Sequence, residues 1–152
     1  MSIRHLTRFT GIAAGLFFAL WATPLQAQKQ CYAPDARAQE RAFSRAVVAQ
    51  GGKTVWLGGQ TGNIPASPDF DTQVRQIFTS LDNTLKAQGG SLRDMVTMTV
   101  FINDVRLGDR FVALRKEIFK ECFPASALIT VTGFAAPGVM VEVQGVAVVG
   151  AK

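Results

Sequence analysis

Met95-Val96-Thr97-Met98-Thr99-Val100-Phe101-Ile102 is the stretch on which the fold turns. Its β-branched and aromatic residues suit a pleated backbone, and strict alternation sets Met95, Thr97, Thr99 and Phe101 on one side and Val96, Met98, Val100 and Ile102 on the other. Both sides carry apolar residues, as in a strand at least partly covered on each face, so the stretch predicts a central strand.

Helical patterns flank it. Upstream, Phe70, Val74, Ile77, Phe78, Leu81 and Leu85 recur at helical spacing, with Ser67 or Asp69 to cap the start and Gly89-Gly90 to end it. Downstream, Asp109 to Phe119 predicts a shorter helix that buries Phe111, Leu114 and Ile118 and leaves Arg115, Lys116 and Lys120 more exposed. Strand patterns lie at both ends of the chain. Phe43–Gln50 and Thr54–Gly59, separated by Gly51 and Gly52, predict a β-hairpin, and Ala127–Thr132 and Val139–Val149 predict two closing strands.

The order ββαβαββ implies an α+β domain with two helices on one face of a mixed sheet. In the last strand Val139, Val141, Val143 and Ala147 alternate with Met140, Gln144, Val146 and Val148, so it is apolar on both sides. One helix layer covers only one of them. The other is expected to be buried in a homo-oligomer, the alternative being a monomer covered by its N-terminal arm.

Residues 28–42 are polar and alanine-rich with no period that buries a face, and they read as that arm ahead of a domain at 43–150. Residues 1–27 have the grammar of a secretory signal peptide: Arg4, His5 and Arg8, an apolar run from Gly11 to Trp21, then Leu25 and Ala27 suited to cleavage. The run is short of the ~20 apolar residues needed to span a bilayer, so export to the periplasm or medium is expected over an uncleaved anchor. Cleavage would leave 125 of the 152 residues, enough for one core and not for a second large domain.

That cut also changes the chemistry available. It removes two arginines and no acid, leaving 14 bases against 11 acids, and it removes the only histidine. Imidazole-based nucleophile systems and His-bearing metal sites are then excluded, and Cys31 and Cys122 alone cannot hold an all-thiolate centre. No metal and no cofactor are expected. In an oxidising compartment Cys31 and Cys122 are candidates for a disulfide, the alternative being two unlinked thiols. A net charge of only +3 after cleavage, with Tyr32 and Trp56 isolated, does not suggest a nucleic-acid partner, nor is membrane attachment expected once the signal is removed.

Three local motifs, in this order and spacing, resemble the RidA (YjgF-like) family of reactive-intermediate deaminases over about Phe43 to Val149. They are Leu57-Gly58-Gly59-Gln60-Thr61-Gly62, the strand end Phe101-Ile102-Asn103-Asp104 with Phe111 and Phe119 beyond it, and Pro124-Ala125-Ser126-Ala127-Leu128-Ile129 followed by Val141-Glu142-Val143. The resemblance implies a chorismate-mutase-like homotrimer with three clefts between subunits, in which enamines or imines of amino acids are hydrolysed to ammonia and a 2-oxo acid. It implies an arginine that grips the substrate carboxylate and a glutamate that holds water.

Carried over residue by residue, the glutamate falls at Glu142. The family arginine falls at Ser126, an aromatic hydroxyl at Phe43, a serine at Gly58 and an asparagine at Val112. Gly58, Gly59 and Gln60 are expected to line the cleft, with Ser126 and Thr130 making a smaller, more neutral pocket. Arg45, two residues after Phe43, is a candidate for a displaced cation. What this implies is a small-metabolite cleft with a weakened grip on carboxylates and degenerate deaminase activity, the alternative being an active enamine/imine deaminase in which Glu142 works with Arg45 or another cation. The structural readings beside these are a glutamate hydrogen-bonded in an interface, strand hydroxyls and a solvated arginine.

Overall fold

The six apolar residues from Phe70 to Leu85 do form one buried stripe, along α2 (Phe70–Ala87) in a computed structural model that describes residues 28–62 and 69–150. Asp69 caps this helix by accepting from the Thr72 backbone N–H at 2.9 Å, and Gly89 follows its end at φ 84°. Ser67 and the signal segment lie outside the described residues. The other elements in chain order are β1 (Gln28–Tyr32), α1 (Ala36–Glu40), β2 (Ala46–Gln50), β3 (Lys53–Thr61), β4 (Met95–Ile102), α3 (Gly108–Phe119), β5 (Ala125–Thr130) and β6 (Val141–Val149).

β3, β6, β4 and β5 make a four-stranded sheet in that order, with β4 central. The sheet is mixed, β4 and β5 running parallel and the other pairs antiparallel. α2 and α3 pack on one face, where Phe78 meets Phe119 edge-on at 5.5 Å between ring centres, above Val100, Ile102, Val141 and Val143. The strict alternation expected of β4 slips at its start. The register to β6 shifts between Met95 and Thr97, so Met95 is buried together with Met98, Val100 and Ile102.

Among the described residues the opposite face carries no helix. Trp56, Thr97, Thr99, Phe101, Glu142, Gln144 and Val146 share it by register, and Trp56 is 81% exposed. No helix among the described residues is long and apolar enough to cross a membrane.

The expected hairpin is a correction. Gly51 and Gly52 do adopt positive φ, at 68° and 76°, and turn the chain. Yet β2 pairs with β1, from Gln28↔Gln50 to Tyr32↔Ala46, whereas β3 pairs with β6. The residues expected to form an arm thus supply the strand that takes β2, and a disulfide from Cys31 to Cys122 ties that strand to the end of α3. The closing strands also start elsewhere than expected: β5 begins at Ala125, where the preceding Ser44 bridges to it, and β6 begins at Val141.

Candidate functional site

The second correction lies on α3. Arg115, expected to be exposed, is 2% exposed, because Phe111, Arg115 and Phe119 follow one another at four-residue steps along the buried stripe. Its guanidinium leaves the helix toward β5. Nη1 donates to Ser126 Oγ at 2.6 Å, Nη2 donates to the Arg41 carbonyl at 2.5 Å, and Cζ lies 5.5 Å from the Phe111 ring centre. Nε is buried with no partner among the described residues.

Arg115 pairs with no carboxylate among the described residues. Burial, and secondarily the like charge of Arg41, lowers its pKa to about 10, which still leaves it cationic at neutral pH. Arg41 itself is ion-paired to Asp109. Phe43, Ser126, Val112, Arg37, Arg41 and Arg115 are among the residues lining a cavity of about 270 Å³. Phe43 and Ser126, predicted from sequence, therefore come together, and the position assigned to the family asparagine, Val112, is beside them. Local tethers hold this arrangement: Ser44 Oγ donates to the Phe123 carbonyl at 2.5 Å, and Ser44 N–H donates to the Pro124 carbonyl at 3.2 Å.

Glu142 lies elsewhere. Ser126 aligns with Met98 on the helix-covered face, whereas Glu142 aligns with Phe101 on the open face. Two strand spacings and three residues separate them, about 14 Å in all. Glu142 is half-buried, and its carboxylate makes no hydrogen bond or ion pair with the described residues. It packs against Gly59: a Cβ there would sit 2.0 Å from Oε1, so this approach requires glycine. Gly59 and Glu142 pack together at the β3 bulge, whose other residue, Gly58, has open space where a Cβ would stand. Gln60 turns to the helix side, where its Oε1 accepts from Ser80 Oγ at 2.8 Å.

The remaining candidates stay apart from both groups. Arg45 donates to Asp35 at 2.8 Å and lies over the Phe43 ring at 5.9 Å, an exposed pair rather than a displaced cation in the cavity. Thr130 is exposed four residues beyond Ser126, opposite Ile102. A larger cavity, about 380 Å³, is bordered by Arg75, Asp82 and Lys86, but these charges are engaged in Arg75–Glu117 and Lys86–Asp82 pairs. Among the described residues no cluster of His, Cys, Asp or Glu could hold a metal ion.

Sequence reasoning missed Arg115, Arg41 and Arg37. The available signal was Phe111-x3-Arg115-x3-Phe119, an arginine in phase with an apolar stripe, ahead of a strand that offers a serine. Chemically, among the described residues, one face presents a buried cation without a counter-charge and the other a carboxylate without a donor.

The chain matches the family described as endoribonuclease L-PSP over residues 33–149. It is 29% identical over 113 residues to a 2-iminobutanoate/2-iminopropanoate deaminase of Bos taurus, covering 71% of this chain and 80% of that protein. RidA from an Antarctic Psychrobacter is 30% identical with a TM-score of 0.54, over 70% of this chain and 88% of that one. A conserved Rid-family protein from Yersinia pestis, 20% identical, has the same fold at a TM-score of 0.71 over 80% and 99% of the two chains. With a family match across most of its length and relatives that agree in sequence and fold, the chain belongs to the RidA (YjgF-like) family.

Proposed function

We propose that this protein is an exported homotrimer that takes a small metabolite into clefts between subunits, where water held by Glu142 hydrolyses a reactive C=N bond. The observation that carries this reading is the division of the candidate residues between two faces of one sheet. Phe43, Ser126 and Arg115 cannot meet Glu142 within one chain, but they can meet the Glu142 of a neighbour if the open face is covered by another subunit. The exposed Trp56 beside Thr97, Thr99 and Val146 supports such a cover, as an unpartnered sheet face of this size is rare in a monomer. Export rests on the N-terminal residues and is consistent with the disulfide.

The chemistry is modest. Water adds its oxygen to the imine carbon while Glu142 takes a proton and returns it to the nitrogen, giving a carbinolamine; Glu142 then passes the hydroxyl proton to the nitrogen as the C–N bond breaks, ammonia leaves, and the carbonyl remains. Substrates of this kind are already electrophilic, so orientation and a placed water suffice without histidine. The deaminase relatives support this class of reaction.

Purified mature protein incubated with freshly generated 2-imino acids is expected to release ammonia above the buffer rate, and Glu142→Gln to remove the excess. Release at the buffer rate with no effect of Glu142→Gln would rule out the hydrolytic part. Light scattering on the same sample is expected to give the mass of three subunits, and a monomer would end the cleft reading.

A further inference from the structure

We propose that Arg115 is the anion-recognition residue of this cleft: the cation missing from the strand at Ser126 is supplied by α3, and it selects ligands that bear a carboxylate. This inference rests on the cleft reading above and adds the residue that sets ligand class.

The argument begins with burial. A guanidinium removed from water is costly unless something of opposite charge compensates it, and buried arginines are ordinarily paired. Arg115 is 2% exposed, yet its hydrogen-bond partners are neutral, a serine hydroxyl and a backbone carbonyl. Two of its five N–H donors are thereby used, and Nε has no partner among the described residues. The charge closest in effect is Arg41, of like sign and already held by Asp109. Arg37, on the same cavity wall, makes no ion pair among the described residues. The cavity therefore has positive charge on its wall and, among the described residues that line it, no anion to match.

Ser126 explains how the residue can be there. A short side chain at this strand position leaves the volume into which Arg115 extends, and its hydroxyl fixes Nη1. A second arginine at the strand would compete for that volume and repel the first. The cavity, about 270 Å³, suits a ligand of a few carbon atoms. A planar guanidinium with free donors matches a carboxylate better than a neutral group.

The test is calorimetric titration of the mature protein with 2-oxobutanoate and with its amide, which differ in charge and little in shape. The acid is expected to bind at least ~30-fold more tightly than the amide. Arg115→Gln is expected to bring the two affinities together without weakening the amide, with circular dichroism checking the fold. Arg115→Lys, which keeps a cation without the planar fork, provides a second variant should the first not fold, and is expected to lower the ratio several-fold. Equal affinity for acid and amide in the unaltered protein, or a ratio unchanged in either variant, would overturn the inference while leaving the cleft reading intact; an unchanged ratio would mean that Arg115 is a strut or is paired with a neighbouring subunit's acid. Binding of neither compound would instead defeat the cleft reading and the inference with it.

Discussion

The helix-covered and open faces of the same four-stranded sheet each carry one half of an ionic arrangement. On the covered face Arg115 is buried with neutral partners, and on the open face Glu142 is half-buried against Gly59 with none. Ordinary packing pairs buried or half-buried charges within the chain, as Arg75–Glu117 and Arg110–Asp71 do on the outer surface of the two helices. Two groups of opposite sign, about 14 Å apart across the sheet, thus find no counter-charge among the described residues, which is the observation behind the proposed sharing of sites between subunits. Structural and functional charges thus differ here less in type than in whether a counter-charge lies within reach.

The largest effect should come from cutting the tie on the covered side. Replacing Cys31 and Cys122 by serine opens a closure of 91 residues, which on a chain-entropy account removes ~4.5 kcal/mol of stability, readable by urea denaturation. Ligand-induced stabilisation should weaken as well, because β1 and α1 position Arg37 and Arg41. The open side should respond in the opposite manner. Glu142→Gln is expected to reduce ammonia release by ~100-fold in steady-state kinetics while shifting stability by less than ~1 kcal/mol. Gly59→Ala should act on the same group more gently: the new methyl displaces the end of a flexible carboxylate, for a loss of ~10-fold in rate and little change in melting temperature.

The smallest stability effect is the most discriminating. Arg115→Met should leave stability within ~1 kcal/mol of the parent or raise it, since it removes a buried charge that has no counter-charge. Were Arg115 half of a buried pair, the loss would be ~2–5 kcal/mol. The sign with pH follows from a pKa lowered to about 10: the folded state bears the cost of the cation at all pH below that value and is relieved of it as pH rises toward the unfolded value. Any advantage of Arg115→Met in denaturation should therefore narrow above pH 10.

Much of the fold was legible because burial follows period. α2 has every large apolar residue in phase, and β6 alternates cleanly through Val141, Val143 and Ala147, so both could be read directly. The N-terminal ribbon could not, because Gln28-Lys29-Gln30-Cys31-Tyr32 buries no stripe and gains its place from backbone pairing and a disulfide. The turn at Gly51-Gly52 was legible, but a turn does not specify which strand edge is free to pair. The candidate site is legible only in part: motifs point to Glu142 and Ser126, whereas the apolar stripe Phe111, Leu114 and Ile118 puts Arg115 with the exposed residues. Its in-phase position between Phe111 and Phe119 is visible, but the neutral acceptors that make its burial possible lie outside the helix, Ser126 Oγ 11 residues on and the Arg41 carbonyl 74 residues back.

The central claim is that each working site draws Arg115 from one subunit and Glu142 from another, and subunit mixing tests it most directly. Arg115→Met and Glu142→Gln proteins, each expected to be strongly impaired alone on a carboxylate-bearing imine at low concentration, would be unfolded together in equal amounts, refolded and assayed for ammonia release. Sites shared between subunits predict recovery of about a quarter of the parent activity, since each cleft draws its two residues at random from the two variants. Recovery no greater than the average of the two separate proteins would contradict the account.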